Sequence, residues 1–193
     1  NGLDEARVIR FAETVRAMDR SALPVRVLAG LECDIRRDGR MDIDDEALAR
    51  LDLVVASVHS HMNMESGEMT ERLLAAVENP YVKIMGHPTG RVLLHRDAYV
   101  YDFEKVAAAA AGRGVAMEIN ASPERLDLHA PLIRIAKSKG CRFVISTDAH
   151  HVKHLANMRF GVTMARRGWL EKGDVLNTLP VDQFLGSLRG NEG

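Results

Sequence analysis

The chain has 193 residues, of which 46% are hydrophobic, 27% charged and only 5% aromatic, a composition typical of globular proteins with enough apolar material for a core. The 26 basic and 27 acidic residues give a formal net charge of -1, which excludes a basic coat for nucleic acid over the whole surface. The longest apolar run, 106–111, is too short to cross a bilayer, so we expect no membrane partner. Cys33 and Cys141 form no CxxC motif and no signal-peptide pattern is recognised, so we expect buried free thiols and a cytoplasmic protein.

Helical and strand-like patterns alternate along the chain. The helical segments carry apolar residues at intervals of three and four, whereas the strands are short apolar runs. In chain order the predicted elements are a helix over 4–18, a strand over 25–32, a short helix ending at 51, a strand over 53–59, a helix over 68–77, a strand over 81–87, a helix over 102–114, a strand over 115–120, a helix over 132–139, a strand over 142–148 and a final helix over 182–188. This alternation predicts one α/β domain with a parallel sheet, either doubly wound or closed as a barrel.

Polar side chains stand at the carboxyl end of every predicted strand. Functional residues collect at this edge in both sheet architectures. Imidazole and carboxylate ligands together suit zinc, manganese or iron, and no cysteine is placed to join them. The set therefore predicts a metal centre. Its members are Glu32 with Asp34 after the first strand, His59 after the second, His87 after the third, Glu118 and Asn120 in the fourth, and Asp148 with His150 after the fifth.

Five stretches that contain these residues resemble the PHP (polymerase and histidinol phosphatase) family. The resemblance is closest to the PHP domain at the carboxyl end of bacterial and archaeal X-family DNA polymerases, and it runs from Asn1 nearly to Leu188. The five stretches are GLECDI at 30–35, ASVHS at 56–60, GHPTGR at 86–91, EINA at 118–121 and TDAH at 147–150. Three later stretches match the polymerase-linked subgroup, namely MRFGV at 158–162, ARRGWL at 165–170 and VLNT at 175–178.

The resemblance implies a distorted, TIM-like (β/α) barrel of seven strands that holds up to three metal ions, usually Mn²⁺ or Zn²⁺, and hydrolyses phosphoesters. In polymerase-linked members it implies a 3′-5′ exonuclease that processes DNA 3′ ends during repair, with polymerase domains upstream in the same chain. By match to the family motifs, Glu32 bridges two ions, His59 and His87 bind the second ion, and Asp148 and His150 bind the first and third ions.

The chain departs from the family pattern at its amino-terminal end. A His-x-His strand, an acidic Asp-Gly loop and an Asp-His pair open the family pattern, and none of these motifs precedes Glu32 in this chain. We expect them upstream of Asn1, so that residues 1–193 form a single PHP domain without its first strands, within a longer polymerase chain. The expected ligand set is then complete for the second ion alone, and we expect the isolated chain to bind metal poorly.

Three further residues are candidates for contacts with substrate. Arg91 follows the third strand, and Asn120 and Arg125 lie at the end of the fourth strand and in the loop after it. A guanidinium group can hold phosphate oxygens through charge-assisted hydrogen bonds. The sequence shows no convincing Ser or Cys triad, so the expected nucleophile is a water activated by metal.

Two other functions stay open. A free-standing PHP phosphatase that acts on a small phosphomonoester would use the same cluster, and the motifs do not separate it from a nuclease. The polymerase-like tail at 165–170 favours the nuclease. A non-catalytic PHP domain that supports a polymerase is the third possibility, and the retained candidate ligands argue against it.

Overall fold

The centre of the molecule is a parallel sheet of five strands. The structure, a computed structural model, describes residues 3–18 and 24–188. The strands are β1 (Gly30–Asp34), β2 (Leu53–Ser57), β3 (Ile84–Met85), β4 (Ala116–Asn120) and β5 (Phe143–Ser146). Each strand pairs with the next in sequence, in the order β1-β2-β3-β4-β5. A doubly wound sheet reverses its strand order at a switch point, whereas the wall of a TIM-like barrel follows chain order, and the observed order is compatible with the barrel.

Seven α-helices accompany the strands in the described residues. They are α1 (Glu5–Ala17), α2 (Asp45–Leu48), α3 (Ser66–Glu78), α4 (Phe103–Arg113), α5 (Ala130–Ser138), α6 (Met158–Arg167) and α7 (Val181–Leu188), with 3₁₀ turns at Val152–Asn157, Lys172–Asp174 and Leu176–Thr178. Asp4, Asp44 and Asp102 cap α1, α2 and α4, because each carboxylate accepts a hydrogen bond from a backbone N–H of the first turn. Within the described ranges no helix is long and apolar enough to cross a membrane.

The two faces of the sheet differ in chemistry. Side chains alternate along a strand, and residues in register on neighbouring strands point to the same side. One face, the helix face, packs against α3, α4 and α5 in the main hydrophobic core and carries Cys33, Val54, Ala56, Met85, Met117, Ile119, Phe143 and Ile145. The other face, the polar face, carries Glu32, Asp34, Val55, Ser57, Ile84, Ala116, Glu118, Asn120, Val144 and Ser146.

The polar face divides along the strand direction. At its amino end Ile84, Ala116 and Val144 pack with Leu176 and Leu188 in a second, smaller core. Its polar residues lie at the carboxyl end. The amino end of this face is covered by the segments around Leu176 and Leu188. The candidate functional residues lie at its other end, where the strands finish.

The first and third strands differ from the sequence prediction. The sequence predicts a strand over 25–32, but β1 begins at Gly30 and extends to Asp34. It begins there because Gly30 pairs with Leu53, the first residue of its partner strand β2. β3 pairs through Ile84 and Met85 alone, although the apolar run covers 81–87. Gly86 and His87 follow, and His87 has left-handed backbone geometry that no strand continues (φ +25°).

Candidate metal centre

Glu32, His59 and His87 meet at the carboxyl edge of β1, β2 and β3. Oε1 of Glu32 lies 2.9 Å from Nε2 of His87 and 3.4 Å from Nε2 of His59. The two imidazole rings pack edge to face, with their centroids 5.2 Å apart. One ligand atom from each residue lies within 4.8 Å of the other two. Both histidines stand two residues beyond the end of their strands. One carboxylate and two imidazoles at this spacing fit a divalent transition metal ion.

Glu32 and His59 stabilise each other's charged forms. Burial raises the pKa of Glu32, but hydrogen bonds with His59 and His87 outweigh it and leave that pKa well below its usual range. The hydrogen bond with Glu32 raises the pKa of His59 to about 9, against an opposing effect of burial and with help from Asp34. Nδ1 of His59 is hydrogen-bonded to Oδ1 of Asp34. Asp34 therefore holds the His59 ring with Nε2 turned toward Glu32, as outer carboxylates do for metal-binding histidines.

His87 is held by its backbone as well as by its ring. Its side chain is almost fully buried, and its N–H donates to Oε2 of Glu118. The preceding residue must be glycine, because a Cβ on Gly86 would lie 2.7 Å from Cγ1 of Val55 and would also clash with Ser57. Left-handed backbone geometry at a non-glycine residue is costly and concentrates at functional sites. Several constraints thus fix the His87 ring beside Glu32.

A polar network continues from the cluster toward β5. The buried Asn120 donates through Nδ2 to Oδ2 of Asp148 at 3.1 Å and to Oε2 of Glu118 at 3.4 Å. Ser146 donates through Oγ to Oε1 of Glu118. Burial raises the pKa of Glu118, and the hydrogen bond from Ser146 counteracts part of that shift. Glu118 therefore connects the loop of His87 with the Asn120–Asp148 pair.

Asp148 and His150 stay outside the three-residue cluster. Asp148 has left-handed backbone geometry (φ +48°), and its Oδ2 lies 3.5 Å from Nε of Arg125. Nδ1 of His150 lies 2.9 Å from the backbone carbonyl oxygen of Asp148 and 3.8 Å from its Oδ1, and the His150 side chain is 82% exposed. Both residues belong to the same edge of the sheet as the cluster, as their position after β5 predicts.

The two candidate arginines occupy different positions. Arg91 donates through Nε to the carbonyl of Arg125 at 2.9 Å and through Nη2 to the carbonyl of Leu126, so it ties its own loop to the β4–α5 loop. Arg125 faces Asp148, and its Nη1 is buried without a hydrogen-bond partner among the described residues. Arg125 therefore has a donor available for a ligand beside Asp148.

Two supporting residues escaped the sequence analysis as functional candidates. Arg72 of α3 is buried and donates to the carbonyls of Ile35, Arg36 and Ser60, which joins the loops after β1 and β2. Asp127 accepts from the N–H of Thr89 at 2.9 Å and from its hydroxyl at 2.8 Å. These contacts fix the loops that carry the cluster. Asp34 is included among the sequence candidates because it follows Glu32 at the end of the first strand, whereas an arginine on an amphipathic helix gives no such signal.

The cysteines are outside the centre, as predicted. Both are free and buried. Burial raises the pKa of Cys33 to about 12 and that of Cys141 to about 11. Cys33 lies on the helix face of the sheet, opposite the face that carries Glu32.

Sequence comparison with known proteins places the chain in a family. No family model matches the chain. A protein of Bacillus subtilis (strain 168) named DNA polymerase/3′-5′ exonuclease PolX is 38% identical over 192 residues, which is 100% of this chain and 34% of that protein. A probable phosphatase of Shewanella sp. (strain ANA-3) is 30% identical over 176 residues, which is 86% of this chain and 68% of that protein. The chain belongs to the family that these proteins share.

A further relative shows how much of each protein the match covers. A probable phosphatase of Caldanaerobacter subterraneus is 35% identical over 136 residues, which is 65% of this chain and 51% of that protein. The chain thus spans about a third of PolX and about half of this phosphatase. The family relation therefore concerns the domain built on the five-stranded sheet.

Proposed function

We propose that the chain is a PHP-type, metal-dependent phosphoesterase domain that acts as a 3′-5′ exonuclease on DNA 3′ ends, with polymerase domains upstream in the same cytoplasmic polypeptide. The observation that carries this proposal is the convergence of Glu32, His59 and His87 on one edge of the sheet. The alignment of the full chain with PolX supports the exonuclease over a phosphatase.

The donor set of the cluster fits Mn²⁺ or Zn²⁺. Carboxylate oxygen and imidazole nitrogen are ligands that both ions accept, and the buried thiols do not compete. Asp148 and His150 are the proposed ligands of further ions, up to three in all, together with residues upstream of Asn1. Such an ion, when bound, lowers the pKa of a water molecule and neutralises charge on the phosphate.

The residues of the chain would hold the ion, orient its ligands and contact the phosphate. Glu32 provides the negative charge against which a cation is held, and Asp34 turns Nε2 of His59 toward it. Arg125 has its Nη1 available for a phosphate oxygen beside Asp148, and Asn120 fixes the Asp148 carboxylate. Arg91 contributes by holding the loop that carries Arg125. Of the three candidate substrate residues, Arg125 is the proposed direct contact, whereas Asn120 positions Asp148 and Arg91 positions the loop of Arg125.

A phosphatase that acts on a small phosphomonoester is the second candidate. The probable phosphatases favour it, because one of them matches this chain over 68% of its own length. A non-catalytic domain is the third reading, and the pairing of His59 and His87 with one carboxylate argues against it.

Hydrolysis of two substrates separates the three functions. The complete natural polypeptide, loaded with Mn²⁺, is assayed on a 3′-labelled oligonucleotide and on p-nitrophenyl phosphate. Release of 3′ nucleotides that disappears in His59→Ala supports the exonuclease. Turnover of p-nitrophenyl phosphate alone supports the phosphatase, and inactivity on both substrates with intact folding supports the structural role. Turnover by His59→Ala at the wild-type rate contradicts the metal site.

A further inference from the structure

A hairpin rises from the loop that carries His87. We call residues 90–98 the rim hairpin. Val92 and Arg96 form an antiparallel bridge, with N–H to carbonyl distances of 2.9 and 2.7 Å. At its base the N–H of Tyr99 donates to the carbonyl of Thr89, two residues after His87. The hairpin therefore stands at the same edge of the sheet as the candidate metal centre.

The rim hairpin is tied to the β4–α5 loop by hydrogen bonds. The N–H of Leu93 donates to the carbonyl of Glu124 at 2.6 Å, and Arg91 reaches two further carbonyls of the β4–α5 loop. Arg96 donates through Nε and Nη2 to the carbonyl of Gly90 at 3.0 and 2.8 Å. The hairpin is thus tied to the β4–α5 loop through Leu93 and Arg91 and braced internally by Arg96.

The tip residue is unusual in two respects. Leu94 is fully exposed to solvent, and its backbone is left-handed (φ +65°). Leucine disfavours that conformation, in which glycine or asparagine is the ordinary choice, and gains nothing from an exposed apolar side chain. Folding alone gives no reason for leucine here. A strained and exposed residue in an anchored loop points to a ligand that uses its side chain.

We propose that Leu94 is an apolar platform for a nucleobase near the 3′ end of the strand whose terminal phosphodiester lies at Glu32, His59 and His87. Leu94 is seven residues beyond His87, so its Cα lies within about 25 Å of that of His87, the span of about seven nucleotides at about 3.4 Å of rise each. Apolar side chains stack on or wedge between bases with little regard for sequence. A small phosphomonoester has no base to reach this tip. The inference rests on the proposed function and narrows it to a polynucleotide substrate.

The size of the apolar surface favours a base over a protein partner. Leu94 is flanked by Leu93, which is 37% exposed, and the polar side chains of His95 and Arg96 are exposed beside it. A stable protein interface covers about 800 Å² on each partner, whereas one leucine offers the area of a single base. Arg125, on the loop to which the hairpin is tied, has a donor for the adjacent phosphate.

The test compares oligonucleotide and small substrate in matched variants. In the complete polypeptide with Mn²⁺, kcat/KM is measured for a single-stranded oligonucleotide and for p-nitrophenyl phosphate. Leu94→Asn removes the apolar surface and tolerates the left-handed backbone, so the ratio of the two kcat/KM values should fall about 5- to 30-fold, through KM, with an unchanged or higher Tm. Leu94→Phe should keep or raise the ratio. Val25→Asn, which alters an exposed valine before β1 at the amino edge, is the control and should leave the ratio unchanged.

The outcomes separate this inference from the proposed function. An unchanged ratio in Leu94→Asn overturns the platform, and so does a loss of Tm, because it would show that Leu94 packs within the protein. A wild-type polypeptide that cleaves no oligonucleotide refutes the exonuclease itself. Wild-type cleavage with an unaffected Leu94→Asn refutes the platform alone.

Discussion

The carboxyl edge of the sheet has two halves that balance their negative charge in different ways. Over β1 to β3, Glu32 is compensated by the Nε2 atoms of two imidazoles. After β5, Asp148 is compensated by Arg125 and by the amide of Asn120. An imidazole that loses its proton becomes a metal ligand, whereas a guanidinium keeps its proton and an amide nitrogen offers no lone pair. The first half is therefore prepared for a cation, and the second half must reorganise or gain ligands to bind one.

The largest expected effect distinguishes the two halves by activity. His87→Ala removes a buried proposed ligand of the first half and should lower Mn²⁺-dependent phosphoester hydrolysis at least about 100-fold. His150→Ala removes an exposed proposed ligand of the other half and should lower the same activity about 10-fold. The measurement is kcat at saturating Mn²⁺ for both variants, with circular dichroism to confirm folding. Equal losses in the two variants would remove the distinction between the halves.

An intermediate effect is expected at Asp34. Asp34→Ala removes the carboxylate that orients His59 and should weaken Mn²⁺ binding about 10- to 100-fold, the usual cost of losing such a partner. The matched control is Asp38→Ala, which changes an exposed aspartate in the turn after β1 whose side chain bonds Arg40. Isothermal titration with Mn²⁺ compares the two variants. Equal affinities would mean that Asp34 does not position His59.

The smallest effect concerns pH and the metal-free protein. The pKa of His59 is raised from 6.5 to about 9, mainly by the hydrogen bond with Glu32. A raised histidine pKa contributes stability in full below pH 6.5, and that contribution is lost as pH rises through 9. A cation must displace this proton, so Mn²⁺ affinity should rise with pH up to about 9. NMR titration of the histidines in chelator-treated protein measures the pKa of His59. A pKa of His59 at or below 6.5 would be incompatible with its pairing to Glu32.

The sequence predicts more of this site than of the scaffold that holds it. Parallel strands place their carboxyl ends on one edge, so the rule that selects Glu32, His59 and His87 from the sequence also brings them together in space. The strand bounds are less predictable, because pairing at Gly30 and Ile84 depends on the partner strand and on the left-handed turn at His87.

The supporting contacts lie beyond the reach of local patterns. Arg72 has the spacing of an ordinary helix residue, yet its guanidinium is buried against carbonyls more than ten positions away in sequence. The bond from the N–H of Leu93 beside the exposed Leu94 to the carbonyl of Glu124 likewise joins two loops that are far apart in sequence. Such features depend on contacts between distant segments, and patterns within one segment of the sequence do not predict them.

The most direct test of the account is a Mn²⁺ titration of the complete polypeptide, followed by electron paramagnetic resonance. The account predicts a tight Mn²⁺ site in the wild-type protein that is lost in Glu32→Gln and in His87→Ala and retained in His150→Ala. Retention of the tight site in both Glu32→Gln and His87→Ala would contradict the assignment of Glu32, His59 and His87 as the primary metal centre.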